Sequence, residues 1–131
     1  PAALPYGFSR AAEFVLESTA RHPEFLGETR NFYERERTRF RAKLISRVPD
    51  VLRLRNSSGN FFFAEIMNGW TSQRLTQWLG QRGITVRTGI EFGPDFDRFI
   101  RFAVRSSADN DRLLEALSAL QDAGNLRSPA A

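Results

Sequence analysis

The sequence predicts an α+β fold in which helices cover a small, mainly antiparallel sheet, with elements in the order α-α-β-β-α-β-β-α. Two observations predict this class: four segments carry apolar residues at helical spacing, and the strand-like runs come in consecutive pairs. The chain has 131 residues, 41% of them hydrophobic, which suffices for about one compact unit. Within it we distinguish a helical segment, 1–48, and a small C-terminal α+β domain, 49–131.

The first two predicted helices differ in length and in character. Apolar residues at helical spacing predict a helix over about 9–21, with Ser9 as its N-cap. A second, longer helix is predicted over 25–48. It has one narrow apolar stripe on a highly charged surface, formed by Tyr33, Phe40, Leu44 and Val48.

A hairpin follows the second helix. Strands are predicted over 51–55 and 60–67, and the residues between them have turn chemistry. The second strand is the most apolar run of the chain. Phe61 and Phe63 alternate in it with Phe62, so both faces are apolar and we expect burial on both sides.

A third helix, a second pair of strands and a fourth helix complete the predicted fold. Thr71 or Ser72 caps the third helix, and Gly80 bounds its end. The predicted ranges are 84–87 and 99–105 for the strands and about 107–122 for the last helix.

Arg87 and Arg101 lie in the two later strands. Since side chains alternate between the faces of a strand, Arg87 points away from Val86, and Arg101 points away from Ile100 and Phe102. If the apolar residues pack under the helices, both arginines emerge on the same uncovered face. Two guanidinium groups there would bind a small molecule with two anionic groups. The alternative is that both are solvated or pair with acids of the intervening loop, Glu91, Asp95 and Asp97.

The net charge of +4 is concentrated in the second helix, where positions 30–47 alone sum to +5. Acids interleave with these bases, which is typical of a solvated or interdomain surface, so we do not expect nucleic acid to be a partner. An aromatic strand near basic residues also resembles sheets that bind RNA, and an RNA-binding module stays an alternative. The element order differs, however, from the βαββαβ order of those sheets.

Several classes of site are excluded by composition. The chain has no cysteine, which rules out disulfides, thiolate metal sites and cysteine nucleophiles. Its only histidine, His22, precedes Pro23 at a predicted helix end, and we interpret it as a solvated residue. The acids form no metal-ligand pattern, and no apolar run is long enough to span a membrane. We expect no metal, no membrane partner and a cytoplasmic location.

Six segments, taken in order, resemble the C-terminal part of the pyridoxal-phosphate-dependent class I/II aminotransferases of fold type I. They are LPYGFSRAAEFVLES, HPEFLGETRNFYERERTRF, SSGNFFFAEI, GITVRTG, FIRFAVR and SADNDRLLEAL. The most similar branch is that of histidinol-phosphate aminotransferase and threonine-phosphate decarboxylase. The segments cover nearly the whole chain, and the resemblance rests on their order because none is diagnostic by itself.

The resemblance implies roles for three residues. Arg101, in FIRFAVR, matches the arginine that binds the substrate α-carboxylate. Arg87, in ITVR, matches an arginine that helps to hold the distal phosphate in the phosphate-substrate branches. Asn60, in GNFFF, matches an asparagine that opens the central strand of the small domain, where we interpret it as a structural residue at the edge of the site. Tyr6 lies in the PY segment, which in the family leads away from the cofactor domain.

One departure from the family decides what this chain can do alone. These enzymes bind pyridoxal phosphate through a lysine in a segment rich in serine and glycine, which precedes the PY segment. The only lysine here, Lys43, lies on the charged second helix and matches no such motif. We expect the chain to be an inactive fragment with no catalytic or cofactor-binding residues of its own.

The resemblance also implies the function of an intact parent enzyme. This would be a homodimeric aminotransferase in which the present domain binds and closes over a small anionic amino-acid substrate. The missing N-terminal domain would hold the cofactor, pyridoxal phosphate. Three alternatives stay open: the corresponding domain of a decarboxylase, a noncatalytic domain that binds an anionic metabolite, and the RNA-binding module.

Overall fold

The computed structural model describes residues 9–125, which form four helices and four strands. The predicted α+β class and element order are confirmed, whereas Tyr6 lies outside the described residues. The helices are α1 (Arg10–Arg21), α2 (Pro23–Arg47), α3 (Ser72–Gly80) and α4 (Ser107–Asn125). The strands are β1 (Leu52–Leu54), β2 (Phe61–Ile66), β3 (Arg87–Thr88) and β4 (Phe99–Ala103).

The chain separates into two compact units, Pro1–Glu34 and Arg35–Ala131, so the boundary lies within α2. The boundary predicted from the sequence lies after residue 48 instead. The two divisions differ because the second half of α2 belongs to the core of the second unit, where Phe40 and Leu44 are buried.

The described part of the first unit consists of α1 and the first half of α2. Ser9 caps α1, with its Oγ accepting a hydrogen bond from the N–H of Ala12 at 3.2 Å. No residue of α1 is buried. Large apolar side chains of α1 and of the start of α2 are exposed: Phe14, Val15, Leu16, Phe25 and Leu26. None of the helices within residues 9–125 is long and apolar enough to cross a lipid bilayer.

The sheet has the strand order β1-β2-β4-β3, and all neighbouring strands are antiparallel. β1 and β2 form the predicted hairpin, with Leu52 opposite Ile66. On the core face, the rings of Phe62 and Phe102 each approach that of Phe40 from α2, with centroids 6.0 Å apart. Leucines of α3 and α4 complete this core: Leu75, Leu79, Leu113, Leu114 and Leu117.

The burial of β2 differs from the prediction. Phe62 is fully buried, whereas Phe61 is 37% exposed and Phe63 is half-buried. The expectation that both faces are buried is therefore wrong. Only one face of the strand points into the core, and the apolar residues of the other face pack among themselves.

β3 is also shorter than the predicted strand. Only Arg87 and Thr88 pair with β4. The backbone N–H of Ile84 donates to the carbonyl of Leu79 at 3.1 Å, so the chain is still bonded to the end of α3 at this point. Residues 84–86 therefore follow the turn that leaves α3 and join no strand pair.

Candidate functional site

Arg87 and Arg101 lie opposite each other on neighbouring strands. The antiparallel register of β3 and β4 pairs their Cα positions directly. Directly opposed residues point to the same face of a sheet, with Cβ atoms about 5 Å apart. Since Ile100 and Phe102 are buried on the other face, both arginines lie on the face opposite the core, as the alternation of the sequence predicted.

Two 3₁₀ turns, Gly89–Phe92 and Pro94–Phe96, connect β3 to β4 beside this face. Gly89 is buried, and a Cβ atom at this position would lie 2.5 Å from the carbonyl oxygen of Phe99. Gly93 has a φ of 133°, a conformation that favours glycine. The two loop glycines therefore allow the connection to pack closely on the start of β4.

An aromatic cluster occupies the same face of the sheet. Phe63 of β2 stacks on Phe99 of β4, with ring centroids 5.0 Å apart. Phe92 and Phe96 of the connection contact Phe63 edge-on, at centroid distances of 6.2 and 5.8 Å. Apolar groups of this kind reduce the screening of nearby charges by water, so they strengthen an ion pair formed beside them.

Among residues 9–125, the guanidinium of Arg101 contacts aromatic rings and no acid. Its Cζ lies 5.1 Å from the ring centroid of Phe61 and 5.5 Å from that of Phe92. Within residues 9–125, the side chain of Arg101 makes no ion pair and no hydrogen bond. The side chain is half-buried, and its N–H donors are available to an anionic ligand.

Arg87, by contrast, is held by a carboxylate of the connection. Its Nε and Nη2 donate hydrogen bonds to Oε2 of Glu91 at 3.0 and 2.7 Å. The hydroxyl of Thr88 donates to Oε1 of Glu91 at 3.3 Å. The alternative that the arginines pair with acids of the intervening loop therefore holds for Arg87 and not for Arg101.

Asn60 directly precedes β2. Its carbonyl accepts a hydrogen bond from the N–H of Val104 at 2.8 Å, which extends the pairing of β2 and β4 by one residue. The residue is exposed. It directly precedes Phe61, whose ring contacts Arg101.

A buried carboxylate of α2, which the sequence analysis missed, joins this helix to α4. Glu36 is only 5% exposed and accepts a hydrogen bond from Arg39 at 2.6 Å. It also accepts hydrogen bonds from Ser107 at 2.7 Å and from Asn110 at 2.8 Å. These bonds, above all that from Arg39, outweigh the cost of burial and lower the pKa of Glu36 from 4.5 to about 2.

Asn110 extends this network to the end of β4. Its Nδ2 donates to the carbonyl of Arg105 at 3.0 Å, and its Oδ1 accepts from the N–H of the same residue at 3.0 Å. Asn110 is 2% exposed. The backbone just after β4 is therefore bonded to α4 and, through Glu36, to α2.

Asp111 provides a second link between α2 and α4. Nη1 of Arg39 donates to both of its carboxylate oxygens at 2.9 and 3.1 Å, and Nζ of Lys43 donates to one of them at 3.1 Å. These hydrogen bonds, that from Arg39 first, lower the pKa of Asp111. The spacing of Glu36, Arg39 and Lys43, three or four residues apart, places them on one helix face. Exposed pairs of the same helix, such as Arg30 and Glu34, have the same spacing.

Comparison with known proteins assigns the chain to a family. The sequence profile of the family described as "Aminotransferase class I and II" matches residues 2–117. The chain therefore belongs to the class I and II aminotransferases, which confirms the resemblance of its six segments. Enzymes of this family depend on pyridoxal phosphate.

Solved structures with a similar fold come from both aminotransferases and decarboxylases. An aminotransferase from Staphylococcus aureus matches 86% of this chain with 29% of its own, at 25% identity and a TM-score of 0.62. A decarboxylase from Sulfurospirillum multivorans matches 88% of this chain with 33% of its own, at 24% identity and a TM-score of 0.73. The histidinol-phosphate aminotransferase from Clostridium acetobutylicum matches 69% of this chain with 26% of its own, at 24% identity and a TM-score of 0.62.

The chain thus spans between 26% and 33% of the length of these three structures. No curated protein matches it by sequence.

The contacts of Lys43 bear on whether this chain could attach pyridoxal phosphate, the cofactor of the family. The cofactor requires a lysine amine for its covalent attachment, and Lys43 is the only lysine in the sequence. Its Nζ lies 3.1 Å from a carboxylate oxygen of Asp111, in the ion-pair network that joins α2 to α4. Lys43 therefore contributes one contact between α2 and α4.

Proposed function

We propose that this chain is the substrate-binding domain of a pyridoxal-phosphate-dependent aminotransferase. In this proposal Arg101 binds the α-carboxylate of an amino acid, and Arg87 binds a distal anionic group such as a phosphate or a carboxylate. The observation that carries the proposal is the direct pairing of the two arginines across β3 and β4, on the face opposite the core. Two guanidinium groups at this spacing can bind both ends of one small molecule.

Arg101 suits an α-carboxylate for two reasons. The planar guanidinium donates two parallel hydrogen bonds to a carboxylate, a geometry that an ammonium does not offer. The rings of Phe61 and Phe92 also lie beside this guanidinium, so an ion pair there is screened less than one in open solvent. Asn60, which precedes Phe61, is proposed to border the site and to act through its backbone bond to β4.

The cofactor belongs, in this proposal, to a part of the parent enzyme outside this chain. The only lysine is engaged with Asp111, and similar structures are about three times as long as the chain. We propose that the cofactor-binding part, or the second subunit of a homodimer, covers the exposed apolar residues of the first unit. Phe14, which is 71% exposed, and Phe25, which is 55% exposed, are the largest of these side chains.

A decarboxylase is the second candidate for the parent enzyme. The fold likeness to the decarboxylase from Sulfurospirillum multivorans, with a TM-score of 0.73, favours it. The carboxylate would be held by Arg101 in either case. Product analysis of the parent enzyme separates the two candidates, because release of carbon dioxide without a 2-oxo acid product indicates decarboxylation.

Calorimetric titration with O-phospho-L-serine tests the two-arginine site, because this probe has an α-carboxylate and a distal phosphate. Loss of a charge-assisted hydrogen-bonding partner should weaken binding about tenfold or more in Arg101→Gln. Arg112→Gln is the matched control, since it removes one exposed arginine charge from α4, and it should change the affinity less than about twofold. Undiminished binding by Arg101→Gln would remove this residue from the site, and equal weakening by both variants would indicate only a net-charge effect.

A separate experiment tests the proposed inactivity of the chain. The protein is incubated with pyridoxal phosphate, reduced with borohydride and digested for mass spectrometry. We expect no stoichiometric adduct on Lys43, because its ammonium is paired with Asp111. A stoichiometric adduct on Lys43 would contradict the assignment of the cofactor to another part of the parent enzyme.

A further inference from the structure

The two arginines of the proposed site differ in how far their charge is already balanced. Two nitrogens of Arg87 donate to one oxygen of Glu91, whereas Arg101 has no acidic partner within residues 9–125. The pair of Arg87 and Glu91 is close to solvent, with 59% and 45% of the side chains exposed. A ligand can therefore reach this pair and compete for it.

We infer that Glu91 is a specificity-determining residue: an internal counter-ion that competes with the distal anionic group of a ligand for Arg87. This inference rests on the proposed function, because it assumes that Arg87 receives such a group. The Nε and Nη2 donors that would bind a carboxylate or phosphate both point at Oε2 of Glu91 in the free protein. A ligand must replace these hydrogen bonds before it gains its own.

The position of Glu91 follows from the turn that carries it. The 3₁₀ turn Gly89–Phe92 begins directly after β3, and this brings the residue four positions after Arg87 back against it. The hydroxyl of Thr88 holds the second carboxylate oxygen, so both ends of the carboxylate are engaged. Glu91 is thus held in place by the fold as well as by its charge.

In the free protein, Glu91 reduces the repulsion between the two arginines. Like charges directly opposite each other on antiparallel strands repel, and Arg87 is the direct partner of Arg101. Glu91 offsets one of the two charges while the site is empty. A ligand with a distal anion takes over that role, whereas a ligand without one leaves Glu91 in place and gains nothing at Arg87.

Two probes that differ only at the distal end can measure this competition. O-phospho-L-serine has a distal phosphate, and L-serine has a hydroxyl in its place. The exposed pair is expected to be weak, so removing it in Glu91→Gln should raise the affinity for O-phospho-L-serine about three- to fivefold. The affinity for L-serine should stay within about twofold, and the gain should disappear when Arg87→Gln is added.

The arginine Nε–H resonances of the full chain, followed by NMR titration, give the dissociation constant even for millimolar binding. Asp95→Asn is the matched control, because it removes one acidic charge from the same connection, in the turn Pro94–Phe96. Equal gains in Glu91→Gln and Asp95→Asn would overturn the inference in favour of a general charge effect. A gain that persists without Arg87, or no gain at all, would also overturn it.

The same titrations separate failure of this inference from failure of the proposed function. If binding of O-phospho-L-serine requires both Arg87 and Arg101 but does not respond to Glu91, only the counter-ion role is wrong. If binding is absent, or is unchanged in Arg101→Gln, the two-arginine site is itself wrong, and the role of Glu91 is overturned with it.

Discussion

Replacing the buried Glu36 with glutamine should destabilise the protein by an amount that depends on pH. In the folded chain the pKa of Glu36 is lowered from 4.5 to about 2. One pKa unit corresponds to about 1.4 kcal/mol, so ionised Glu36 contributes about 3 kcal/mol to the free energy of unfolding at neutral pH. Glutamine keeps one acceptor oxygen but loses the charge, and its NH₂ group meets donors of Arg39 and Asn110. We expect Glu36→Gln to lose most of this contribution.

The direction of the pH dependence follows from the lowered pKa. Between about pH 2 and pH 4.5 the unfolded chain binds more protons at this residue than the folded chain does. The contribution of Glu36 is therefore complete above about pH 5 and is lost as the pH falls towards 2. Urea unfolding of wild type and Glu36→Gln should give a difference of about 3 kcal/mol at about pH 7 and less than half of it at about pH 3.

Glu115→Gln is the matched control for this experiment. Glu115 is an exposed residue of α4, and its replacement should change the free energy of unfolding by less than about 0.5 kcal/mol at any of these pH values. A difference between wild type and Glu36→Gln that stays constant from about pH 7 to pH 3 would refute the reasoning. It would mean that the shape of the side chain, and not its charge, stabilises the fold.

Three further substitutions, two of them with a matched control, test the loop, a helix cap and the core, with urea unfolding as the measurement. Gly89→Ala should destabilise by more than about 2 kcal/mol because the new Cβ meets backbone. In contrast, Gly27 lies in a helix with open space around its Cα, so Gly27→Ala should raise the free energy of unfolding by about 0.5–1 kcal/mol. If the two glycine substitutions changed stability alike, the close packing of the loop at Gly89 would be contradicted. Ser106→Ala should lower the free energy of unfolding by about 1 kcal/mol, because the hydroxyl of Ser106 accepts a hydrogen bond from the N–H of Asp109 in the first turn of α4. Unchanged stability would contradict this capping role. Phe40→Ala should lower the free energy of unfolding by about 3–5 kcal/mol. Ile45→Ala, at an exposed position of the same helix, should lower it much less, and equal losses would contradict the assigned core.

The placement of the two arginines could be predicted because strands alternate with a fixed period. The buried neighbours of Arg101 determine which way its side chain points, and the same rule applies to Arg87. The period does not reveal that Arg87 is already paired. That contact depends on a 3₁₀ turn that follows a strand of only two residues, Arg87–Thr88. The predicted strand covers 84–87 instead, so the turn after it was not foreseen.

The burial of Glu36 was not predictable from the pattern of its own helix. Its segment is rich in interleaved charges, which is typical of a solvated surface, and the expectation was wrong for this residue. Its partners Ser107 and Asn110 lie about 70 residues further along the chain. Only the tertiary fold brings them to α2, so a local reading of charge could not distinguish this glutamate from its exposed neighbours. Similarly, the run around Phe61 showed apolar residues on both faces but not which face meets the core.

The double hydrogen bond between Asn110 and the backbone of Arg105 has a mechanical consequence. Arg105 follows β4 by two residues, and Arg101 is in the middle of that strand. Because Asn110 is also bonded to Glu36, we expect any rotation of the second half of α2 to carry Arg101 with it. The second half of α2, α4 and the end of β4 would then move together, and the proposed carboxylate site with them.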